Sequence, residues 1–210
     1  MYDTLTTFSD SDVSEPVGLL AESWESNEDA TEFTFQLNED ATFASGAPVT
    51  ADDVVFSLNR LVNLKGSPSV TVEGFEASSP GDGVVVVTTA EPNPSVPTIL
   101  AMPGTGVVEA AAAAEQGATD AEDAASADSA TTYLNGDSLG SGPYVLESFD
   151  PASEIVLTAN DDYWGGEPGY ERIVISNVAT ETQKLTMQRA GSSQIALDLS
   201  GRLLEDLPEE

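Results

Sequence analysis

The chain has no cysteine and no histidine among its 210 residues. Without cysteine there is no disulfide framework, no thiolate metal site and no cysteine nucleophile. Without histidine the usual general base, the commonest zinc ligand and any imidazole pH switch are gone. Basic residues are almost as scarce: 6 Lys and Arg stand against 37 Asp and Glu, a formal charge of −31. Nucleic acid is therefore a poor partner, because neutralising phosphates takes clustered Lys and Arg. An anionic membrane surface is disfavoured for the same reason. No run of about 18 apolar residues occurs, so no stretch reads as a membrane-spanning helix. These residues also carry no signal-peptide pattern.

The acidity itself has three readings. It suits a halophilic surface, where molar salt screens the repulsion between hydrated carboxylates. It suits a DNA mimic or a binder of basic partners, and it suits a calcium protein. The acids are scattered along the chain rather than gathered in one block, which favours the first.

What is present is organised around Phe33–Leu61. Phe33, Phe35 and Leu37 alternate with Thr34 and Gln36, the pattern of a half-buried strand. Ser45-Gly46-Ala47-Pro48 turns the chain. Thr50 as N-cap and Asp53 three residues on make an Asp-for-Glu capping box, with Asp52 adding charge favoured by the helix dipole. Val54, Val55, Leu58, Leu61 and Val62 give the helix one apolar side, and Gly66 supplies its stop. Upstream, residues 19–25 and 32–37 form a hairpin. Downstream, 70–77 and 84–89 read as strands around Ser78–Gly83, and the run Val84–Val87 suggests burial on both faces. A short helix is expected near 96–101 and another at 110–114. Gly117–Ser129 is expected to be a mobile acidic loop, because it has almost no large apolar residue. Strands at 145–149, 154–159 and 172–177 and a helix from Thr180 to Gly191, capped by Thr180 and Gln183, complete the reading.

The wording of these elements resembles family 5 of the solute-binding proteins of ABC transporters, the peptide, nickel and oligosaccharide receptors. The residues that carry it are Leu20-Ala21-Glu22-Ser23-Trp24, then Thr34-Phe35-Gln36-Leu37, then Phe43 with Gly46, Pro48, Val49, Thr50, Ala51, Asp53 and Val54. It returns in Gly142-Pro143-Tyr144 and in Asn160 with Tyr163-Trp164-Gly165. Tyr2-Asp3-Thr4-Leu5 matches the family's opening phrase loosely, and Gln194 stands where the family usually has Asp. The resemblance implies an α/β, periplasmic-binding-protein-like lobe (type II, cluster C) with a mixed sheet and an inserted β-rich subdomain. It implies that 1–135 are the inserted subdomain, that 136–210 are part of the lobe I core sheet, and that the second lobe is absent. An export signal would precede Met1, and a membrane anchor would lie outside this chain.

The resemblance further implies binding without chemistry, of a peptide or other small solute, in partnership with ABC permease subunits and outside the cytoplasm. No cofactor is implied. The candidate cleft segment is Met102, Pro103, Gly104, Thr105 and Gly106: two glycines to admit a peptide backbone, a hydroxyl, and a pliable apolar side chain. A plain Pro-Gly turn explains the same residues. Other constellations are read as structural. Gly136-Asp137-Ser138-Leu139-Gly140 fits the G-x-S-x-G spacing of a hydrolase, but Ser138 has no histidine to take its proton. Asp10, Asp12 and Ser14 share a calcium loop's alternation without its glycine. Asp120, Glu122, Asp123 and Asp128 are expected in a solvated loop, and Trp24 and Trp164 as core anchors. The alternative of another class is a free-standing acidic module that binds a basic protein.

Overall fold

The computed structural model describes residues 1–9 and 11–200. Asp10 of the calcium-like alternation lies outside the described residues, as do residues 201–210. Two short strands, β1 (Thr6–Ser9) and β2 (Asp12–Gly18), form an antiparallel arm. The hairpin follows as β3 (Ala21–Ser26) and β4 (Glu32–Leu37), then helix α1 (Ala51–Leu64). β5 (Phe75–Gly81) and β6 (Val84–Thr89) complete a four-stranded sheet of order β3-β4-β6-β5. Short helices α2 (Val96–Ile99), α3 (Ala110–Glu115), α4 (Ala124–Ala127) and α5 (Thr131–Leu134) lead to a three-stranded sheet. That sheet runs β7 (Tyr144–Asp150), β8 (Glu154–Ala159), β9 (Arg172–Ser176), and helix α6 (Glu181–Arg189) follows it.

The main core lies between the four-stranded sheet and α1. Alternation sets it: Phe33, Phe35 and Leu37 are buried on one face while Glu32, Thr34 and Gln36 face out. Register then aligns Trp24 with Phe35 and Phe35 with Val85, and Phe33 with Val87. Directly opposed residues share a face, so these rows form one apolar layer. Val54 and Leu58 of α1 close it. The start of α1 is built as the sequence predicts. Asp53 N–H donates to Thr50 Oγ1 at 3.3 Å, and Thr50 N–H donates back to Asp53 Oδ2 at 2.9 Å. Asp53 Oδ1 also accepts from Ala110 N–H at 2.8 Å, which fastens α3 to the same cap.

Five expectations are corrected. The left-handed residue that ends α1 is Lys65 (φ 52°), not Gly66. Residues Ser67–Val72 form a 3-10 turn rather than a strand, because Pro68 favours a helical first turn and Ser69 Oγ reaches back to Leu61 O. In the valine run only Val85 and Val87 are fully buried; Val84 and Val86 point away from α1 and stay partly exposed. The segment Gly117–Ser129 is not a bare acidic loop. Small side chains fill its core instead of large ones: Ala118, Ala124 and Ala130 are buried, and Asp128 is locked to Arg60. Finally, every ladder among the described residues is antiparallel, so the mixed sheet takes the form of separate antiparallel sheets within an α/β lobe.

Candidate functional site

The run Met1–Leu5, just ahead of β1, is where distant parts of the chain converge. Val107 N–H donates to Asp3 O at 2.9 Å and Gly142 N–H to Met1 O at 3.0 Å. Thr6 Oγ1 donates to Pro97 O at 2.6 Å. Close approach to Met1 and Tyr2 leaves no room for a side chain at Gly106, Gly140 or Gly142. A Cβ on Gly106 would lie 2.7 Å from Tyr2 Cβ, and one on Gly140 would run into the Met1 carbonyl.

Asp3 is the centre of this seam. It is 5% exposed, and three donors close on its carboxylate: Trp164 Nε1 at 3.0 Å, Ser141 Oγ at 3.2 Å and Tyr163 OH at 3.4 Å. Burial pushes the Asp3 carboxyl above the ordinary value, and the hydrogen bonds from Trp164, Ser141 and Tyr163 oppose that shift only in part. The same burial, with the neighbouring Asp3 charge, raises the Tyr163 phenol to about 12. Asn160 completes the corner, its side-chain amide donating to Gly142 O at 3.3 Å. The carboxylate thus ties the start of the chain to the side chains of Ser141, Tyr163 and Trp164.

The predicted cleft segment sits beside this clamp. Met102, Pro103 and Gly104 are exposed at the turn that follows α2, and Pro103–Thr105 is a 3-10 turn. Thr105 faces inward: it is 3% exposed and its hydroxyl lies 2.9 Å from Met102 O and 3.1 Å from Leu100 O. Gly106 presses on Tyr2, and Val107 then bonds to Asp3. The exposed surface of the segment is thus Met102–Gly104, held from behind by Thr105–Val107.

Ser138 accepts a hydrogen bond from Leu146 N–H at 3.2 Å, the structural role expected of it. Trp24 stacks at a tilt on Phe35, centroids 6.2 Å apart, and Trp164 packs against the core, so both tryptophans are anchors. Asp12 Oδ1 accepts from Ser14 N and Oγ, a closed local turn. Among the described residues no group of three or more Asp or Glu is placed to hold a metal ion, and no helix is long and apolar enough to cross a membrane. Sequence reasoning missed Asp3 as a centre. The available signal was an acid between Tyr2 and Leu5 in an extended run, together with an indole N–H at Trp164 that needs an acceptor once buried.

Comparison with known proteins gives this seam a context. The pattern of the bacterial extracellular solute-binding proteins, family 5 Middle, matches residues 15–208. The chain belongs to that family. The probable D,D-dipeptide-binding periplasmic protein DdpA of Escherichia coli K12 is 29% identical over 194 residues, which cover 92% of this chain and 36% of DdpA. Among solved structures, MoaA of A. tumefaciens R10, in complex with mannopinic acid, superposes with a TM-score of 0.77 at 28% identity, covering 91% of this chain and 37% of MoaA. A nickel ABC transporter protein of Bacillus halodurans shares the fold, with a TM-score of 0.77 at 24% identity, over 98% of this chain and 39% of its own. This family 5 chain therefore spans a little over a third of the length of such relatives. The α/β binding-protein-like lobe expected from the sequence is the fold observed.

Proposed function

We propose that this chain is part of a receptor that captures a small solute, a peptide first among the candidates, outside the cytoplasm and delivers it to an ABC permease. The observation that carries the reading is the exposed Met102–Gly104 turn, rigidly backed by the Asp3 seam, in a chain of the solute-binding family. In this reading Met102 supplies a pliable apolar contact and Pro103 fixes the turn. Gly104 leaves room for a peptide backbone. Thr105 and Gly106 shape the segment from inside. A second lobe closing by a hinge would complete the site, with 1–135 as the inserted subdomain and 136–210 in the core sheet of the first lobe. Peptide is favoured because the relative DdpA carries a dipeptide-binding description; the neighbours described with mannopinic acid and nickel keep other small solutes as outcomes of the test. The free-standing acidic module finds no support in these relatives.

The test is calorimetric titration of short peptides, mannopinic acid and nickel into the chain, and into a receptor carrying it, at molar KCl. Gly104→Val is expected to weaken peptide binding at least tenfold with an unchanged melting temperature. Equal affinity in that variant would remove the segment from the site, and binding of another solute without peptide would remove the peptide.

A further inference from the structure

Sulfur is rare in this chain, and one of its atoms belongs to the exposed turn after α2. With no cysteine, the only sulfurs are the thioethers of Met1, Met102 and Met187. Met1 and Met187 are partly buried, whereas Met102 is 42% exposed. The Met102 backbone is pinned from three sides. Its N–H donates to Ile99 O at 3.0 Å, and its carbonyl accepts from Thr105 N–H and from the Thr105 hydroxyl, each at 2.9 Å. Pro103 and Gly104 are exposed beside it, and so is Pro68, whose Cβ lies 3.6 Å from where a Gly104 Cβ would stand. The run 96–108 holds no charged residue, in a chain with 37 acids. An open thioether therefore sits on a fixed, neutral, apolar turn.

We propose that Met102 is an oxidation site that regulates solute capture: a peroxide converts it to the sulfoxide before the other two methionines, and the oxidised turn holds an apolar peptide less tightly. The inference rests on the solute reading of the turn and adds its regulation. In the step itself a lone pair of the Met102 sulfur attacks one oxygen of hydrogen peroxide. The O–O bond breaks, a sulfur–oxygen bond forms, and the second oxygen leaves with both protons as water. Sulfur gives up two electrons and the peroxide takes them. The product is a polar, chiral side chain in place of a pliable apolar one. The Thr105 hydroxyl, turned inward to Met102 O and Leu100 O, is already engaged. An apolar ligand laid on the turn would therefore strip water from the new oxygen without replacing its hydrogen bond, which costs affinity. The change is reversible, since sulfoxide reductases remove the oxygen as water while a dithiol is oxidised to its disulfide.

The absence of cysteine makes the test direct, because an added oxygen on an intact peptide maps to a methionine. The chain, and a receptor carrying it, are exposed to dilute hydrogen peroxide in molar KCl, and samples taken over time are digested and weighed. Met102 is expected to oxidise about threefold faster than Met1 or Met187, following exposure. Calorimetry with the dipeptide, tripeptide and tetrapeptide of leucine then compares the untreated and oxidised protein. Oxidation is expected to weaken binding about fivefold, the scale of one poorly satisfied polar group, with an unchanged melting temperature. Both classes of sulfoxide reductase, supplied with dithiothreitol, should restore it. The affinity of Met102→Leu, whatever its starting value, should not move with peroxide, while Met187→Leu should lose affinity as the parent does. Faster oxidation of Met1 or Met187 would overturn the proposal, and so would unchanged affinity in protein oxidised at Met102. Either result leaves the solute reading standing. Failure of the untreated receptor to bind any of the three peptides would overturn the apolar-peptide reading, and this inference with it.

Discussion

Arg60 clamps Asp128 through two parallel hydrogen bonds, Nε to Oδ2 at 2.7 Å and Nη2 to Oδ1 at 3.0 Å, across 68 residues of sequence. The Asp128 side chain is 1% exposed. Burial alone would raise its pKa, but the hydrogen bonds from Arg60, Thr119 N–H and Ala130 N–H and the Arg60 charge outweigh that and hold it below the ordinary value. The pair pins the acidic segment 117–130 onto α1. Asp128→Asn leaves a buried guanidinium uncompensated, and a loss of about 3 kcal/mol in urea unfolding is expected. The pH dependence follows from the lowered pKa. The contribution is complete above the unfolded carboxylate range, near pH 4, and is lost as pH falls through the folded value. A loss within experimental error of zero would show that the clamp is ornamental.

The second ion pair behaves differently. Arg172 and Glu147 meet at 3.1 Å with side chains 52% and 43% exposed, so solvent and salt screen most of the attraction. Glu147→Gln should cost less than about 1 kcal/mol, and less still at molar KCl. The same unfolding experiment run on both variants separates the two pairs, and equal costs would contradict the burial argument.

Much of the fold was legible because it rests on short-range patterns. The Phe33–Leu37 alternation, the Thr50/Asp53 box and the Thr180 cap each report local geometry, and the structure has them where the residues say. Segment 117–130 was not legible. Its order depends on Arg60, far away in sequence, and on alanines whose burial leaves no periodic signature. The site divides the same way. Pro103 and Gly104 announce an exposed turn, whereas the inward Thr105 hydroxyl and the Asp3 clamp are set by partners no spacing rule reaches.

Two neighbouring glycines of the turn should respond in opposite ways to an added methyl. A Cβ on Gly104 meets only Pro68 Cβ at 3.6 Å, ordinary contact, and Gly104→Ala should leave stability nearly unchanged. A Cβ on Gly106 would stand 2.7 Å from Tyr2 Cβ. Overpacking of that kind costs about 1–3 kcal/mol. Thermal melts of the two variants decide the matter: a Gly106→Ala variant as stable as the parent would mean that Tyr2 moves freely and the seam is loose.

Asp3 should give the reverse acid response to Asp128. Its folded pKa is raised by burial, so the ionised carboxylate opposes folding at neutral pH. That penalty is relieved as pH falls through the raised value toward the unfolded one. Asp3→Asn should flatten this part of the pH–stability curve. It should also lower the Tyr163 phenol from about 12, through loss of the adjacent charge and hydrogen bond, though not to the ordinary value, because burial is the larger cause. Tyrosinate absorbance in an alkaline titration reads the shift, with Tyr163→Phe identifying the band. An unmoved band in Asp3→Asn would break the electrostatic link between the two groups.

The whole surface makes the last prediction. With 37 acidic residues against 6 basic ones, repulsion between like charges opposes the compact state, and its reach is set by ionic strength. The screening length is about 10 Å at 0.1 M salt and about 3 Å at 1 M, so repulsion beyond nearest neighbours is removed within that range. The melting temperature should therefore climb steeply with KCl up to about 1 M and then level off. Sucrose favours burial through exclusion from the surface and should give a smaller, steady gain without a plateau. Parallel melts in KCl and sucrose distinguish the causes. A KCl curve that follows the sucrose curve would assign the gain to solvent exclusion and leave the carboxylates without an energetic role, whereas a plateau near the point of full screening makes charge repulsion the term that salt removes.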